Sequence, residues 1–580
     1  MSDMSAFPLG TLDYAAFIAF FGVLSLVGYL SGRKERGSAD DYFLAGRDLP
    51  WYVVGGSFIA SNISTEHFIG MIGAAFIFGA CAAVPEWGNV FGFSLIIWFF
   101  IPFLMASRVF TMPEFLEKRF NITLRQFFAF VTVLSNVVAF LAAVLYGGAL
   151  ALQTLFGWPL YVAILVLGIC AGLWAMYGGL ASVAWTDFFT VIVMVLGGLT
   201  VTYLGLKMLG GESDSILVGF NEMLEANRAN TGVWKQAVDA TAQTLAGTDT
   251  YNRLSVIQPV THQLVPWTSI VFATFSIGIW YNVLNQFMIQ RVLGARNAYH
   301  ARMGIVFAGL LKVLMPVIVV MPGLILFAKY PEVLLKPWGE VQPEADRGYV
   351  TMLQTIVPVG LRGLFLAALF GAIQSTVNSV LNSSATIITL DFYKRLFAPE
   401  ASQARLVRVG IVASATVLVV AMVLAGFINQ LGGSLFLYIQ SLYAFFAPPF
   451  AAVFLLGILS RRINATGATT AVFLGFALGI GMKFYIGWDP NHPGWLAPFY
   501  NQAIINWMFC LVVCAVVSFL TPPPRPEQVN DTLMLNWRIV RAGDNLGTHW
   551  YSHVITWWLV FVISILALAV VFSGLVFPLG

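Results

Sequence analysis

The sequence predicts an all-α polytopic membrane protein with about fourteen transmembrane helices. Three observations predict it. Of 580 residues, 59% are hydrophobic and only 10% charged, against about 25% charged in a soluble domain. Apolar runs of the length that spans a bilayer core recur along the whole chain. The short connections between them alternate between basic and uncharged, as the positive-inside rule requires.

Taken in order, the runs lie near 11–32, 51–79, 83–107, 124–156, 159–178, 183–208, 266–292, 303–328, 361–393, 406–428, 432–458, 466–486, 499–520 and 554–577. With the N-terminus outside, the basic connections all fall inside: Arg33–Arg47, Arg108–Arg125, Arg291–Arg302, Lys394–Arg408 and Arg461–Arg462. The connections near 157–158 and 429–431 are uncharged. Both termini then lie outside, and the compact loops suggest a bacterial inner membrane. The segment 209–265 reads as a solvated lid or spacer. The segment 521–553 opens with "TPPPRPEQVND", whose prolines break the preceding helix, and reads as an inside connector.

Several chemistries are excluded. Net charge is +3, with no basic block for nucleic acid. The four cysteines, Cys81, Cys170, Cys510 and Cys514, form no CxxC pair or disulfide framework. No phosphate-binding glycine loop, metal-ligand cluster or nucleophile triad stands out, so the chain reads as no enzyme. Intramembrane charges are also too few for the proton-translocating subunit of a respiratory complex.

The ionisable residues read as lying at bilayer depth are Glu66, His67, Glu86, Asp187, Lys312 and, at the margin, Lys483. Such groups cost kilocalories in lipid and usually face a cavity or a partner. "ASNISTEHFIG", 60–70, has six polar residues among eleven inside an apolar run. It predicts an interrupted helix, tolerated only where freed backbone lines a cavity. The same side chains also suit plain interhelical hydrogen bonding. Glu86 in "VPEWGN" and Asp187 in "SVAWTDFF" sit near helix starts, where the dipole alone favours a carboxylate. Lys312 lies about 15 Å along its helix from the nearest basic connection, too deep for easy snorkelling. The 361–393 run carries Gln374, Ser375, Thr376, Asn378, Ser379, Asn382, Ser383 and Ser384. These suit tight packing or a cation site. Gln440 sits in an apolar run that contains Pro448–Pro449.

The blocks "GGSFIASNISTEHFIG", "YGGLASVAWTD", "NQFMIQRVLGARN", "IVFAGLLKVLMPVIVVMPG", "SVLNSSATIITLDFYKR" and "AAVFLLGI", in that order over about 10–485, resemble the sodium/solute symporter family, sodium/glucose cotransporter branch. The resemblance implies a LeuT-like fold of two inverted five-helix repeats, about 51–208 and 266–458. An N-terminal helix and inside loop (1–50) precede them, the loop 209–265 separates them, and flanking helices (459–580) follow. It implies Na⁺ as coupling ion, held by backbone carbonyls of Ala60, Ile63 and Ala372 and hydroxyls of Ser375 and Thr376. It implies a monosaccharide site of Asn62, His67, Glu86, Tyr281, Lys312 and Gln440, with Tyr281 also the inner gate. Asp187 would lie on the sodium exit route or at a second ion site. Departures from the family pattern are Gly278 and Asn282 in the pocket region, Leu437, and Asn378 in place of a hydroxyl found in two-sodium relatives. The last implies one Na⁺ per solute. The implied activity is import of a glucose- or galactose-type sugar by alternating access. Another polyol, such as inositol or an amino sugar, or a sodium-gated sugar sensor on the same fold, stands as the alternative.

Overall fold

The computed structural model describes residues 9–33, 38–229, 231–242, 248, 251–428, 435–536 and 546–578. The charges at Lys34 and Arg36 and the 429–431 connection lie outside them. Described residues form helices and no sheet, with a single bridge between Leu49 and Ala295. Twelve described helices are long and apolar enough to cross a membrane. That count joins two expected segments in Glu66–Ser107 and leaves Leu160–Leu173 as a shorter apolar helix.

Two breaks organise the bundle. The first helix after the basic 33–47 connection, Trp51–Asn62, stops at Ile63, whose backbone turns extended (φ −83°, ψ 114°). The chain resumes as a π-turn over Glu66–Met71 and a helix over Ile72–Phe78. The second break follows the π-turns Thr274–Gly278 and Trp280–Leu284. There Asn285 takes the same extended geometry (φ −68°, ψ 119°) before the helix Gln286–Leu293. Wide turns of this kind cluster at functional sites because they re-aim side chains and loosen the backbone ladder.

Arg362–Ile387 is the central helix, and from Gly363 almost every residue of it is buried. It packs along Leu160–Leu209 and against Trp51–Asn62. Leu160–Leu209 is bent at Gly179 (φ +57°), where a Cβ would lie 2.2 Å from the Tyr42 carbonyl oxygen. Only glycine allows that approach. The bend separates the two segments expected at 159–178 and 183–208, and Asp187 lies two turns beyond it rather than at a helix start.

Two expectations about loops need correction. Arg119, Arg125, Arg291 and Arg302, read as connection charges, are all buried. Arg119 donates to the carbonyls of Gly457, Ser460 and Ile463, and Arg125 pairs with Asp391 at 2.7 Å and Glu117 at 2.5 Å. A buried guanidinium needs such partners, and sequence spacing did not reveal them. The 209–265 segment is also no mere solvated spacer. Its C-terminal part buries Arg253, Leu254, His262, Leu264 and Val265. Lys483, by contrast, is exposed near the end of Ala465–Trp488 and is no part of the interior.

Candidate functional site

The first break frees backbone groups that the family resemblance implies as ion ligands. The Ser64 N–H, which would close a helical turn on Ala60 O, donates instead to His67 Nδ1 at 3.4 Å. The next donor, His67 N–H, bonds Ser64 O at 3.0 Å, so Ile63 O is also left out of the ladder. The central helix faces these oxygens. Thr376 Oγ1 donates to Ser61 O at 3.4 Å. Ser375 Oγ, fully enclosed, has no hydrogen bond of ordinary length, and its nearest polar partner is the Asp187 carboxylate. Ala60, Ala372, Ser375 and Thr376 are all buried. One contact, Thr376 to Ser61, thus joins the end of the broken helix to the middle of the central one, where Ala372 and Ser375 are buried as well.

One turn toward the basic connections lies Asp187. Its Oδ2 accepts from Ser57 Oγ at 2.6 Å and Ser61 Oγ at 3.1 Å, and pairs with Arg291 at 3.3 Å. Arg291 also donates to Ser57 Oγ at 2.7 Å and to Ser379 Oγ and Phe287 O. Asp187 Oδ1 makes no hydrogen bond. Arg291 was read as a connection charge, and no sequence signal paired it with Asp187. Asn378 is buried with neither amide atom bonded.

On the other side of the break lies a cavity of about 100 Å³, several times the space one water needs. Asn62, His67, Glu86, Tyr281 and Gln440 line it. Lys312 is not in its wall but sits directly behind it. Its ammonium pairs with Glu86 Oε2 at 2.5 Å and donates to Asn62 Oδ1. Asn62 Nδ2 in turn donates to the Tyr281 hydroxyl at 2.6 Å. His67 Nε2 lies 3.3 Å from Glu86 Oε1. Because Nδ1 accepts from Ser64, the proton belongs on Nε2 and points at the carboxylate. Five of the six expected residues therefore form one connected polar group, while Gln440 lines the same cavity and bonds elsewhere in its wall.

Sequence reasoning noticed Glu66 but gave it no place in the site. The structure sets it in the cavity wall, accepting from Gln440 Nε2 at 2.9 Å and from the Tyr443 hydroxyl at 3.5 Å. Tyr443, Tyr500 and Asn89 also line the cavity. The two tyrosines sit in apolar runs rich in other aromatic residues, which gave no reason to single them out. Asn282, the departure beside Tyr281, donates to Asn89 Oδ1 at 3.0 Å. Tyr281 packs on Phe140, Phe287 and Tyr443 with centroids 5.6–6.2 Å away, an aromatic floor under the cavity. Gly278 is part of the wall, and a Cβ there would meet nothing nearer than 3.6 Å.

A buried wall of alternating donors and acceptors, beside freed carbonyls and hydroxyls, is what a cation-coupled carrier of a polar solute requires. Comparison with known proteins agrees. The sequence profile of the sodium:solute symporter family matches residues 42–475. The chain belongs to that family. The symporter is 33% identical over 525 residues to a sodium/glucose cotransporter of Vibrio parahaemolyticus, covering 88% of this chain and 91% of that one. It is 32% identical over 546 residues to the sodium/myo-inositol cotransporter of Mus musculus, covering 90% and 75%. A solved Na⁺-coupled sialic acid symporter, in a substrate-bound outward-open state, superposes with a TM-score of 0.71 at 21% identity, covering 89% of this chain and 99% of that one. That likeness establishes a shared fold, the LeuT-like bundle. The protein is a sodium-coupled, multi-pass membrane symporter and not an enzyme.

Proposed function

We propose that this symporter imports a neutral polyhydroxy solute, a monosaccharide of the glucose or galactose type, with one Na⁺ as driving ion. The observation that carries the reading is the cavity wall itself. It offers carboxylate, amide, imidazole and phenol groups within one enclosure, with an ammonium behind them. A polyol both donates and accepts at every hydroxyl and can satisfy such a wall. A lone anion would meet both Glu66 and Glu86. The relatives named for glucose and myo-inositol support the class, and inositols and amino sugars stay within the same chemistry.

In this reading Na⁺ sits between the Ala60 and Ile63 carbonyls and Ala372, Ser375 and Thr376, tying the broken helix to the central helix. The Ser375 hydroxyl, which has no hydrogen bond of ordinary length, supports this, since a cation would give its oxygen a close partner. Ion binding fixes the geometry of Asn62 and His67, which belong to the same break, and so prepares the solute site. Tyr281 closes the path toward the basic face. Release requires the Asp187–Arg291 pair to open, placing Asp187 on the ion's way out. The two breaks support inverted repeats near 51–208 and 266–458. One interrupts a helix running from the basic face and the other a helix running toward it. With that face cytoplasmic, both termini lie outside.

The test is uptake of labelled glucose, galactose and myo-inositol into proteoliposomes, with and without an inward Na⁺ gradient. Concentrative, Na⁺-dependent uptake that collapses in Ser375→Ala and Gln440→Ala is expected. Folded protein that accumulates none of the three would refute the substrate class. Solute-evoked Na⁺ current without solute flux would establish the sensor reading instead.

A further inference from the structure

A second cavity, unrelated to the transport path, opens on the membrane-facing wall. It is an apolar trough of about 410 Å³ lined by Ile388, Val409, Val412, Ala413, Thr416 and Val417, with Arg405 and Arg408 at one end. That volume falls in the range of small-molecule sites. Nearly all of the lining comes from one helix, Gln403–Ala425. From Arg405 to Val417 the trough runs about 18 Å at the helical rise, a little more than one leaflet of a bilayer whose core is about 30 Å thick.

The polar end and the apolar trough are matched to different parts of one molecule. Arg405 and Arg408 are exposed and lie one turn apart on the face that carries the basic connections. Neither makes an ion pair among the described residues. Other arginines of the same face do, as Arg395 with Glu117 at 2.7 Å and Arg461 with Asp531 at 3.4 Å. Arg405 lies over the Tyr393 ring, 5.6 Å from its centroid, which holds the guanidinium beside the trough without neutralising it. Val412, 65% exposed, marks the open side of the trough, and Val419, Val420 and Val423 continue the same apolar surface toward the opposite leaflet.

We infer that this trough is a binding site for one anionic glycerophospholipid, its phosphate held by Arg405 and Arg408 and an acyl chain laid along Val409, Val412 and Thr416. Charge selects the lipid class. Two uncompensated guanidinium groups favour a net-negative headgroup. A zwitterionic one brings an ammonium for which the trough lining offers no carboxylate. Glu400, the nearest acidic residue in the preceding loop, is exposed and outside the lining. Paired guanidinium groups also suit phosphate by geometry, through parallel N–H donors.

The test is native mass spectrometry of the delipidated full-length protein titrated with phosphatidylglycerol and phosphatidylcholine of identical acyl chains. One phosphatidylglycerol should be retained in preference to phosphatidylcholine. In R405Q/R408Q its apparent affinity should fall about 25-fold, the loss of two arginines near an anionic headgroup. Val412→Trp, which fills the trough and keeps both charges, should also lose the adduct. All variants alter exposed side chains, and an unchanged melting temperature shows that they are folded. Equal retention of the two lipids by the wild type, or a phosphatidylglycerol preference that survives either substitution, would overturn the site.

Discussion

Glu86 and Lys312 show how one buried contact joins stability to transport. They are separated by 226 positions in sequence and by 2.5 Å in space. Removing Lys312 leaves Glu86 buried with only His67 Nε2–H as partner, at a cost of up to about 3–5 kcal/mol. Lys312→Met should therefore lower the melting temperature sharply and abolish uptake. Adding Glu86→Gln should restore most of the thermal stability while uptake stays lost, because a solute-facing carboxylate is gone as well. A double-mutant cycle on melting temperature and initial uptake rate checks both halves. Gly278→Ser is the complementary case. The wall has room for the new atoms, so stability should change by no more than about 0.5 kcal/mol while the KM for solute shifts. Both residues of the ion pair were visible in the sequence as charges in apolar runs. Their pairing was not, because apolar flanks say that a charge needs a partner and nothing about which one. Glu66 was equally visible, but the Gln440 and Tyr443 that give it a place lie more than 370 positions away.

Among elements, the half-helix beyond the first break is held by the segment read as a spacer. Arg253 donates to the carbonyls of Ile77 at 2.6 Å and Phe76 at 2.7 Å, at the C-terminal end of Ile72–Phe78. Its guanidinium lies 3.7 Å from the Phe327 ring centroid. A cation at that helix end satisfies carbonyls that have no helical donor. Gly79 (φ +83°) lets the chain turn directly under Arg253, since a Cβ there would lie 2.2 Å from the Arg253 carbonyl oxygen. Beside it, His262 accepts from the Val265 N–H at 3.0 Å and contacts the Tyr251 hydroxyl at 2.8 Å, with Cys81 nearby. Burial pushes the His262 imidazole down from 6.5 to about 3. Below pH 6.5 the unfolded chain takes up a proton that the folded one refuses. The symporter should therefore lose thermal stability as pH falls from about 6.5 toward 3, and His262→Gln should flatten that dependence in melting curves from pH 7.5 to 4.5. The broken helix was legible from six polar residues in an apolar run. The clasp was not, because 209–265 is polar in composition, and what buries Arg253 and His262 is contact with distant helices.

For the whole molecule, the membrane class was legible because low charge and repeated apolar length leave few alternatives, and the symporter fold was legible only through the resemblance of six sequence blocks to the family. The number of segments was softer. A bend at Gly179 and a turn at Gly79 leave helices continuous where hydropathy dips. Energetically, one Na⁺ moving down 100 mV releases about 2.3 kcal/mol, and a tenfold gradient adds about 1.4 kcal/mol. Their sum of about 3.7 kcal/mol sets a ceiling of roughly 500-fold solute accumulation at one-to-one coupling. Steady-state accumulation in proteoliposomes at that potential and gradient should approach, and not exceed, this value.

Coupling requires the ion and the solute to bind with mutual preference, and linkage makes that preference reciprocal. The most direct measurement is the Kd of the transported polyol, by calorimetry on purified protein, as a function of Na⁺ concentration in wild type and Ser375→Ala. In the wild type Kd should fall as Na⁺ rises and then level off. In Ser375→Ala the same fall should require higher Na⁺, with the plateau little changed, because Ser375 belongs to the proposed ion site and not to the cavity wall. A Kd indifferent to Na⁺ in the wild type would contradict a sodium site at the break that prepares the solute cavity.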